Sequence, residues 1–549
     1  MADTGKAPEI PAGLQQYDSY ATDPKYQKYF TIGWTSALGA FLLFKLAGLF
    51  IRRRSKIWSF ISSVGLWSLP GLSLTVGQLL VIILYTVGVL ACLTTRAKLE
   101  ENPNRAGFLA LAQLPPIFLL GAFKSAPTAL APPGKHAASF LAHFTYEKLS
   151  PYHRYAGRVF FLCAAIHGGM WINNHLKYDQ QILGAGKETT GVAAFGLVCV
   201  LLLSSVKPVR RWAYEVFYII HILSVPAFLV TISYHTPYAR PWVYPPAAFW
   251  LGDLVLRMVR GTWVGQVELS VQGDITVVKM PTYTRPIQPG QHVRVSLFIP
   301  TLGFRDAWYT PGHPVTVIPT ARGAVLSMKG TGGWTRAVSD YARFVSPPSE
   351  PKPVPDNEED CVDKPQGQTA SRMTVLALLS AHPTGGVALP RPLASYTDVF
   401  CMTGGSGASF ALSLARSLRI ARRAEVVWCV RSFGSIIPLA PYLARLTQGG
   451  ANVHITIYVT CLCQPELIPH IPNCDVVLWD GIGDSGRPSV GSLVKQFVGE
   501  VDGKEGEASV AVLAAGPRSL VAEAGNAVAR LRAAGPDVEV GYHGEVFDL

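Results

Sequence analysis

The chain has 549 residues and a mass of 59.4 kDa, too long for a single hydrophobic core, so two or three structural units are expected. Hydrophobic residues make up 49% and charged residues only 15%, with a mean hydropathy of +0.26, a combination that excludes disorder as the dominant state and that a fully soluble protein of this size rarely shows. The net charge of +12 comes from short clusters such as Arg52-Arg53-Arg54 beside apolar runs, a pattern of membrane-flanking loops and not of a nucleic-acid binder. Nine scattered cysteines exclude a disulfide-built ectodomain, and Cys461 and Cys463 form an isolated C-x-C that reads as a strand pair.

Residues 1–29 are polar, and the first apolar run lies too deep to be a cleavable signal. Apolar segments then follow at about 30–51, 74–95, 106–123, 155–173, 190–206, 213–235 and 242–258. Each is near the roughly 20 residues that a hydrocarbon core about 30 Å thick requires. They predict an all-α membrane bundle of seven spans over 30–260. With the C-terminal half placed in the cytosol, the inner loops carry ten Lys or Arg and the outer loops six, Arg105 and Lys187 among the latter.

Beyond 260 the patterning changes. From Val267 to Ile299 apolar and polar residues alternate, with turns at Gly273 and Pro289-Gly290, the signature of antiparallel strands in a small barrel over 261–394. Residues 345–372 are Pro-rich and acidic and read as a flexible insertion. From 395 to 549, apolar strands (DVFCM, AEVVWCV, NVHITIYV, DVVLW, SVAVLAA, DVEVGY) alternate with helical stretches, which predicts a parallel doubly wound α/β sheet.

Four histidines in the apolar half form two pairs, His153/His167 and His221/His235, with the same spacing of fourteen residues. Fourteen residues fall only about 40° short of four helical turns, so both members of a pair share one helix face, about 21 Å apart along the axis. Two such helices side by side present two levels of facing imidazoles, a geometry that bis-imidazole ligation of a haem iron at each level satisfies. Zinc competes less well, because two zinc sites want more ligands than two histidines each. Arg154 and Arg158 serve either as propionate partners at the inner level or as inner-flank anchors.

With its paired histidines, HRYAGR and the motifs below, the chain resembles the ferric reductases and NADPH oxidases, flavocytochrome b proteins, over roughly residues 74–549, and is most similar to the fungal ferric-chelate reductases. The resemblance implies two b-type haems, FAD and NADPH, with a ferredoxin-reductase-like module of a FAD-binding barrel and an NADPH-binding α/β domain. PGQHVRVSLF (289–298) and WYTPGHPVTV (308–317) look like its flavin barrel, so His313, Pro314, Val315 and Thr316 take the place of the family's H-P-F-T/S, with Val315 for the usual aromatic. SMKGTGGWTRAV (327–338) fits its flavin pyrophosphate loop, with Lys329, Gly333, Trp334 and Thr335 as contacts and Thr335 expected to begin a helix.

The same resemblance makes MTGGSGASF (402–410) the nicotinamide-nucleotide loop, with Gly404, Gly405, Ser406 and Gly407 at the pyrophosphate. Arg431 stands where the family meets the 2′-phosphate of NADPH, a task for which the guanidinium fork is suited. GRP (486–488) and AAGP (514–517, with Gly516 and Pro517) match family positions, Ala515 standing where Cys is usual, and Phe547 is placed to shield the flavin. The family's G-P-Y/F-G is replaced by HPTGG (382–386), which leaves the flavin contacts and strand pairing there open.

Together these imply an oxidoreductase that passes electrons from cytosolic NADPH through FAD and two haems to a ferric or cupric chelate outside. It is expected in the plasma membrane, in contact with lipid and with no nucleic-acid partner. The alternative acceptor is oxygen, as in a superoxide-generating NADPH oxidase; the equal fourteen-residue spacings resemble the ferric reductases more. A transporter or receptor with a degenerate reductase tail would show missing histidines or broken loops, and a membrane cytochrome using ascorbate would leave 261–549 without a task.

Overall fold

The computed structural model describes residues 19–50, 56–69, 71–72, 74–100, 102–122, 146–184, 186–260, 262–273, 275–299, 313–345, 373–380, 383–448, 452–461, 468–478, 488–501, 508–535 and 538–547. The acidic insertion beyond Val345, residues 308–312, His382, Gly486 and Arg487 lie outside them. The chain divides into two compact units, a helical one up to residue 259 and a mixed one that takes in residues 53–73 and everything from 260 on.

The helical unit contains α1 (Ser19–Phe50), α3 (Val76–Thr94), α4 (Asn104–Ala122), α5 (Tyr146–Lys177), α6 (Gly186–Ser204), the short α7 (Lys207–Trp212), α8 (Tyr214–His235) and α9 (Arg240–Arg260). Each of the seven expected apolar segments corresponds to a helix. Residues Val76–Thr94, Asn104–Ala122, Gly186–Ser204 and Val216–His235 are each long and apolar enough to cross a membrane. On α3, α6 and α8 apolar side chains also face outward: Leu84, Leu203 and Leu223 are each about two-thirds exposed, which suits a lipid solvent. Helix α4 is the exception, buried along most of its length among its neighbours. The start of α3 is set by a capping box, in which Thr75 Oγ1 accepts from the Gln78 amide at 3.3 Å and Gln78 Oε1 from the Thr75 amide at 3.0 Å.

Two details differ from the sequence reading. Helix α1 starts at Ser19, well before the apolar run, because its first turns bury a polar stripe. Ser19, Asp23 and Gln27, spaced by four, are all buried and meet the Asn102 and Asn104 amides, Arg105 and the Phe108 carbonyl. Arg105 is not a loop residue: it is the second residue of α4, fully buried, with Nε donating to Asp23 Oδ1 at 2.5 Å and a terminal nitrogen donating to the Cys92 and Thr95 carbonyls.

In the mixed unit, strands β1 (Thr262–Gln272), β2 (Ile275–Met280), β3 (Gln291–Phe298), β4 (His313–Pro319), β5 (Ala324–Lys329) and β6 (Met373–Ser380) pair antiparallel in the order β4-β5-β2-β1-β6-β3. The further β3–β4 pairing closes them into a six-stranded barrel. Its interior is filled by alternate residues such as Val267, Leu269, Val293, Val295 and Leu297, the period-2 pattern of the sequence. The short β7 (Thr384–Gly385) pairs with the start of β3.

A parallel sheet of β8 (Asp398–Gly404), β9 (Arg423–Val430), β10 (Val453–Val459), β11 (Cys474–Leu478), β12 (Ser509–Gly516) and β13 (Glu539–Val546) follows, in the order β11-β10-β9-β8-β12-β13. The strand order reverses between β8 and β12, which makes their carboxyl ends a topological switch point. Helices of this unit are α2 (Lys56–Leu66), α10 (Gly333–Val345), α11 (Ala408–Ser413), α12 (Ala415–Ile420), α13 (Ala440–Thr447), α14 (Val490–Gly499) and α15 (Arg518–Ala534). The segment after α2 docks on α15: the Asn526 side chain accepts from the Ser68 amide at 2.7 Å and donates to the Ser68 carbonyl at 3.0 Å, and Arg530 lies over the Trp67 ring.

Candidate functional site

Helices α5 and α8 bring the four histidines together in the expected pairs. His153 faces His221 and His167 faces His235, each with ring centroids 6.3 Å apart and planes crossed at 68° and 75°. A metal–imidazole bond of about 2.0 Å puts a metal roughly 3 Å from a ring centre, so two imidazoles on opposite sides of one iron sit about 6.2 Å apart. The ring separations therefore fit a single iron between the members of each pair. Among the described residues no group of three or more His, Cys, Asp or Glu side chains gathers to hold a metal ion.

Three of the rings are oriented by backbone carbonyls. Nδ1 of His153 donates to Ile117 O at 2.9 Å, that of His167 to Pro103 O at 3.0 Å, and that of His235 to Lys187 O at 2.9 Å. A carbonyl only accepts, so in each ring the proton sits on Nδ1 and the Nε2 lone pair is left for a metal. Midway between the levels, seven residues from each histidine, Phe160 and Phe228 form an edge-to-face pair 5.8 Å apart that fills the space with buried apolar rings. Arg154 and Arg158 lie exposed on α5.

In the barrel, the register of β3 against β4 sets Thr316 opposite His292 and His313 opposite Val295. The His313 ring stacks on Trp334 at 4.4 Å with planes 6° apart, uniting the two motifs assigned to the flavin. Trp334 is buried, and its indole N–H meets no acceptor among the described residues, a donor suited to a bound ligand. Helix α10 starts at Gly333, two residues before Thr335, whose hydroxyl donates to the Gly332 carbonyl at 2.9 Å. Within HPTGG, Thr384 and Gly385 lie against His292 and Gln291, and His292 Nε2 bonds Thr384 Oγ1 at 3.1 Å. The positive φ of Gly385, +82°, lets the chain turn over the His292 ring, where a Cβ would come within 2.7 Å of Nδ1. Burial, reinforced by Arg294, pushes His292 down to about 4, so it is neutral at physiological pH.

The nucleotide-loop residues converge at the switch point. Gly404 closes β8, and Gly405, Ser406 and Gly407 form a single 3-10 turn before α11. A Cβ on Gly407 would collide with the Ala515 carbonyl, and one on Gly516 (φ +149°) would lie 3.0 Å from the Gly404 amide nitrogen. Trp428 holds the loop from β9, its indole N–H donating to Gly405 O at 2.9 Å. Pro517 leads into α15, Arg431 stands exposed just past the end of β9, and the Phe547 amide donates to Gly516 O at 2.9 Å, which anchors the C-terminal aromatic beside the loop.

Residues that the sequence reading did not single out also belong to this region. Glu545, a buried carboxylate, pairs in register with Ala515, and His543, also buried, stacks on Phe410 and accepts from the Ala388 amide at 3.2 Å. Their signal in sequence was faint: GYHGEVF reads as any apolar-polar strand.

Residues 106–232 match the model of the ferric reductase like transmembrane component family, a stretch that includes three of the four histidines and ends three residues before His235. The chain is 26% identical over 488 residues to ferric reductase transmembrane component 3 of Saccharomyces cerevisiae, covering 80% of this chain and 60% of that one. It is 25% identical over 384 residues to ferric/cupric reductase transmembrane component 2 of the same yeast, covering 67% and 47%. The chain thus spans about half to three-fifths of the length of these relatives. Among solved structures it aligns with a flavohemoglobin from Malassezia yamatoensis with bound FAD and heme, at 14% identity and a TM-score of 0.35, over 80% of this chain and 96% of that one. Residues 106–232 match the ferric reductase like transmembrane component model, and the chain is a membrane protein similar in sequence to the yeast ferric and ferric/cupric reductase transmembrane components.

Proposed function

We propose that the protein is a transmembrane metalloreductase that passes electrons from cytosolic NADPH to ferric or cupric chelates on the far side of the plasma membrane. The observation that carries this reading is the double histidine pair, two sites each with imidazoles spaced to hold one iron between them, about 21 Å apart along the helices. When bound, NADPH, FAD and two b-type haems supply hydride donation, separation of the electron pair and a one-electron relay.

The chain's own residues bind and orient. His153 with His221, and His167 with His235, would hold one iron each, and the carbonyls of Ile117, Pro103 and Lys187 orient the rings of His153, His167 and His235 with Nε2 free to ligate. Phe160 and Phe228 keep water out of the interval between the levels. Thr316, His313, Trp334 and Lys329, with Pro314, Val315, Gly333 and Thr335, form the flavin wall of the barrel. Gly404 to Gly407, Gly516 and Pro517 would let a pyrophosphate approach the backbone at the switch point, Arg431 would meet a 2′-phosphate, and Phe547, anchored to Gly516 O, would shield the flavin. Similarity to the yeast ferric and ferric/cupric reductase transmembrane components supports ferric and cupric acceptors.

The test is a reduced-minus-oxidised optical spectrum of detergent-purified protein after NADPH, read again after a ferric chelate without oxygen. A b-type haem band that appears with NADPH and disappears with Fe(III) is the expected result. A band that only oxygen removes would transfer the protein to the superoxide-generating oxidases, and no haem band would end the reading.

A further inference from the structure

We propose that Gly107, Gly121 and Gly191 are positioning residues for the haem-ligating histidines, each receiving the edge of one imidazole against bare helix backbone so that Nδ1 reaches the carbonyl four residues earlier. The proposal rests on the haem reading above. In each case the geometry is the same. A Cβ on Gly107 would lie 2.8 Å from Nδ1 of His167, which bonds Pro103 O; one on Gly191 would lie 2.7 Å from Cε1 of His235, which bonds Lys187 O; and one on Gly121 would lie 3.2 Å from Cε1 of His153, which bonds Ile117 O. From 103 to 107, 117 to 121 and 187 to 191 the offset is always four, the helical repeat that places the carbonyl directly below the glycine. Gly107 and Gly121 are themselves fourteen apart on α4, matching the spacing of the histidines they receive on α5.

Other helical glycines of this unit do not share the property: added Cβ atoms at Gly157, Gly168, Gly169 and Gly196 would meet nothing within 4 Å. Helix propensity alone favours alanine at all these positions, so glycine at the three contact positions serves the approach of the ring. The fourth corner is built differently. Fourteen residues after Gly191 stands Ser205, whose hydroxyl donates to Leu201 O at 2.5 Å, and the His221 ring lies against Phe217 with centroids 5.4 Å apart. The level of His167 and His235 is therefore cradled on both sides by glycine, and the level of His153 and His221 on one.

An imidazole whose Nδ1 proton is held by a carbonyl is a stronger donor to iron, which favours the ferric state and lowers the reduction potential. The test is a potentiometric titration with parallel electron paramagnetic resonance of the full-length holoprotein, comparing wild type with Gly107→Ala, Gly191→Ala, Gly121→Ala and the control Gly196→Ala. Histidine variants at each level assign the two signals. Gly107→Ala and Gly191→Ala should raise the potential of the His167/His235 haem and alter its low-spin signal while the other haem stays unchanged. Gly121→Ala, with the smaller overlap, should shift the His153/His221 haem by less, and Gly196→Ala should shift neither.

Where the tighter variants assemble no haem, Gly121→Ala decides. A protein with two haems and both potentials and signals at their wild-type values would overturn the proposal. A wild type without low-spin haem would instead overturn the haem reading, so the two failures are distinguishable.

Discussion

His167 and His235 face each other on α5 and α8 with ring centres 6.3 Å apart, and fourteen residues back His153 and His221 repeat the separation on the same two helices. The repeat makes the two levels separable by mutation. Changing His167 to Ala should leave one haem per protein and reduce electron transfer to an external ferric chelate by at least about 10-fold, as loss of a metal ligand does. Reduction of a soluble dye by the flavin half should persist. Pyridine haemochrome content against protein concentration checks the first expectation, and paired dye and chelate assays check the second.

Asp23 and Arg105 form an ion pair with both side chains fully buried, and the Arg105 guanidinium also covers the Tyr26 ring at 3.7 Å. Removing one partner of such a pair strands the other charge, at a cost of about 3–5 kcal/mol, whereas an apolar replacement of both is much milder. Asp23→Ala should therefore lower the thermal midpoint of the detergent-solubilised protein more than the double change Asp23→Leu with Arg105→Met. A double change as damaging as the single one would show that the pair does more than satisfy its own burial.

That ion pair also marks where the sequence stopped being legible. Apolar periodicity reveals helices that face lipid or an apolar core, and each expected segment is helical. It does not reveal a polar stripe buried against another polar helix, so apolar patterning starts α1 only at residue 30 and leaves Arg105 in a loop. The histidines could be paired in advance because fourteen residues is close to a whole number of turns. The glycines opposite them share that spacing, yet glycine in an apolar helix just as readily serves close packing of one helix on another, and only the ring contact separates the two roles. In the mixed unit, alternation marked the barrel strands, but the partner of HPTGG depends on a long-range register between Thr384 and His292 that no local pattern encodes.

Arg431 stands at the carboxyl end of β9, next to the strand that feeds the Gly404–Gly407 loop, and is solvent-exposed. An exposed guanidinium there has little to stabilise in the fold, and under the proposed function it would meet the 2′-phosphate of NADPH. Arg431→Ala should raise KM for NADPH by roughly 10- to 100-fold, the loss of one or two charge-assisted hydrogen bonds, with a smaller change for NADH. Steady-state kinetics with both nucleotides measures the ratio; an equal effect on the two would remove Arg431 from 2′-phosphate recognition.

His292 links the barrel to the Thr384–Gly385 turn, and its imidazole, held near 4 by burial, bonds Thr384 as the neutral form. In the unfolded chain the same group titrates near 6.5. Between these values the unfolded state binds a proton that the folded state does not, so stability rises with pH through this window and is lost as pH falls from about 6.5 toward about 4. The loss from this one group is at most roughly 3 kcal/mol. His292→Gln, which keeps a polar side chain and carries no titrating proton, should flatten that part of the pH–stability curve of the FAD-loaded protein, read as flavin release on thermal unfolding at pH 7 and pH 5. A variant that loses as much stability as the wild type between those two values would place the acid sensitivity elsewhere in the barrel.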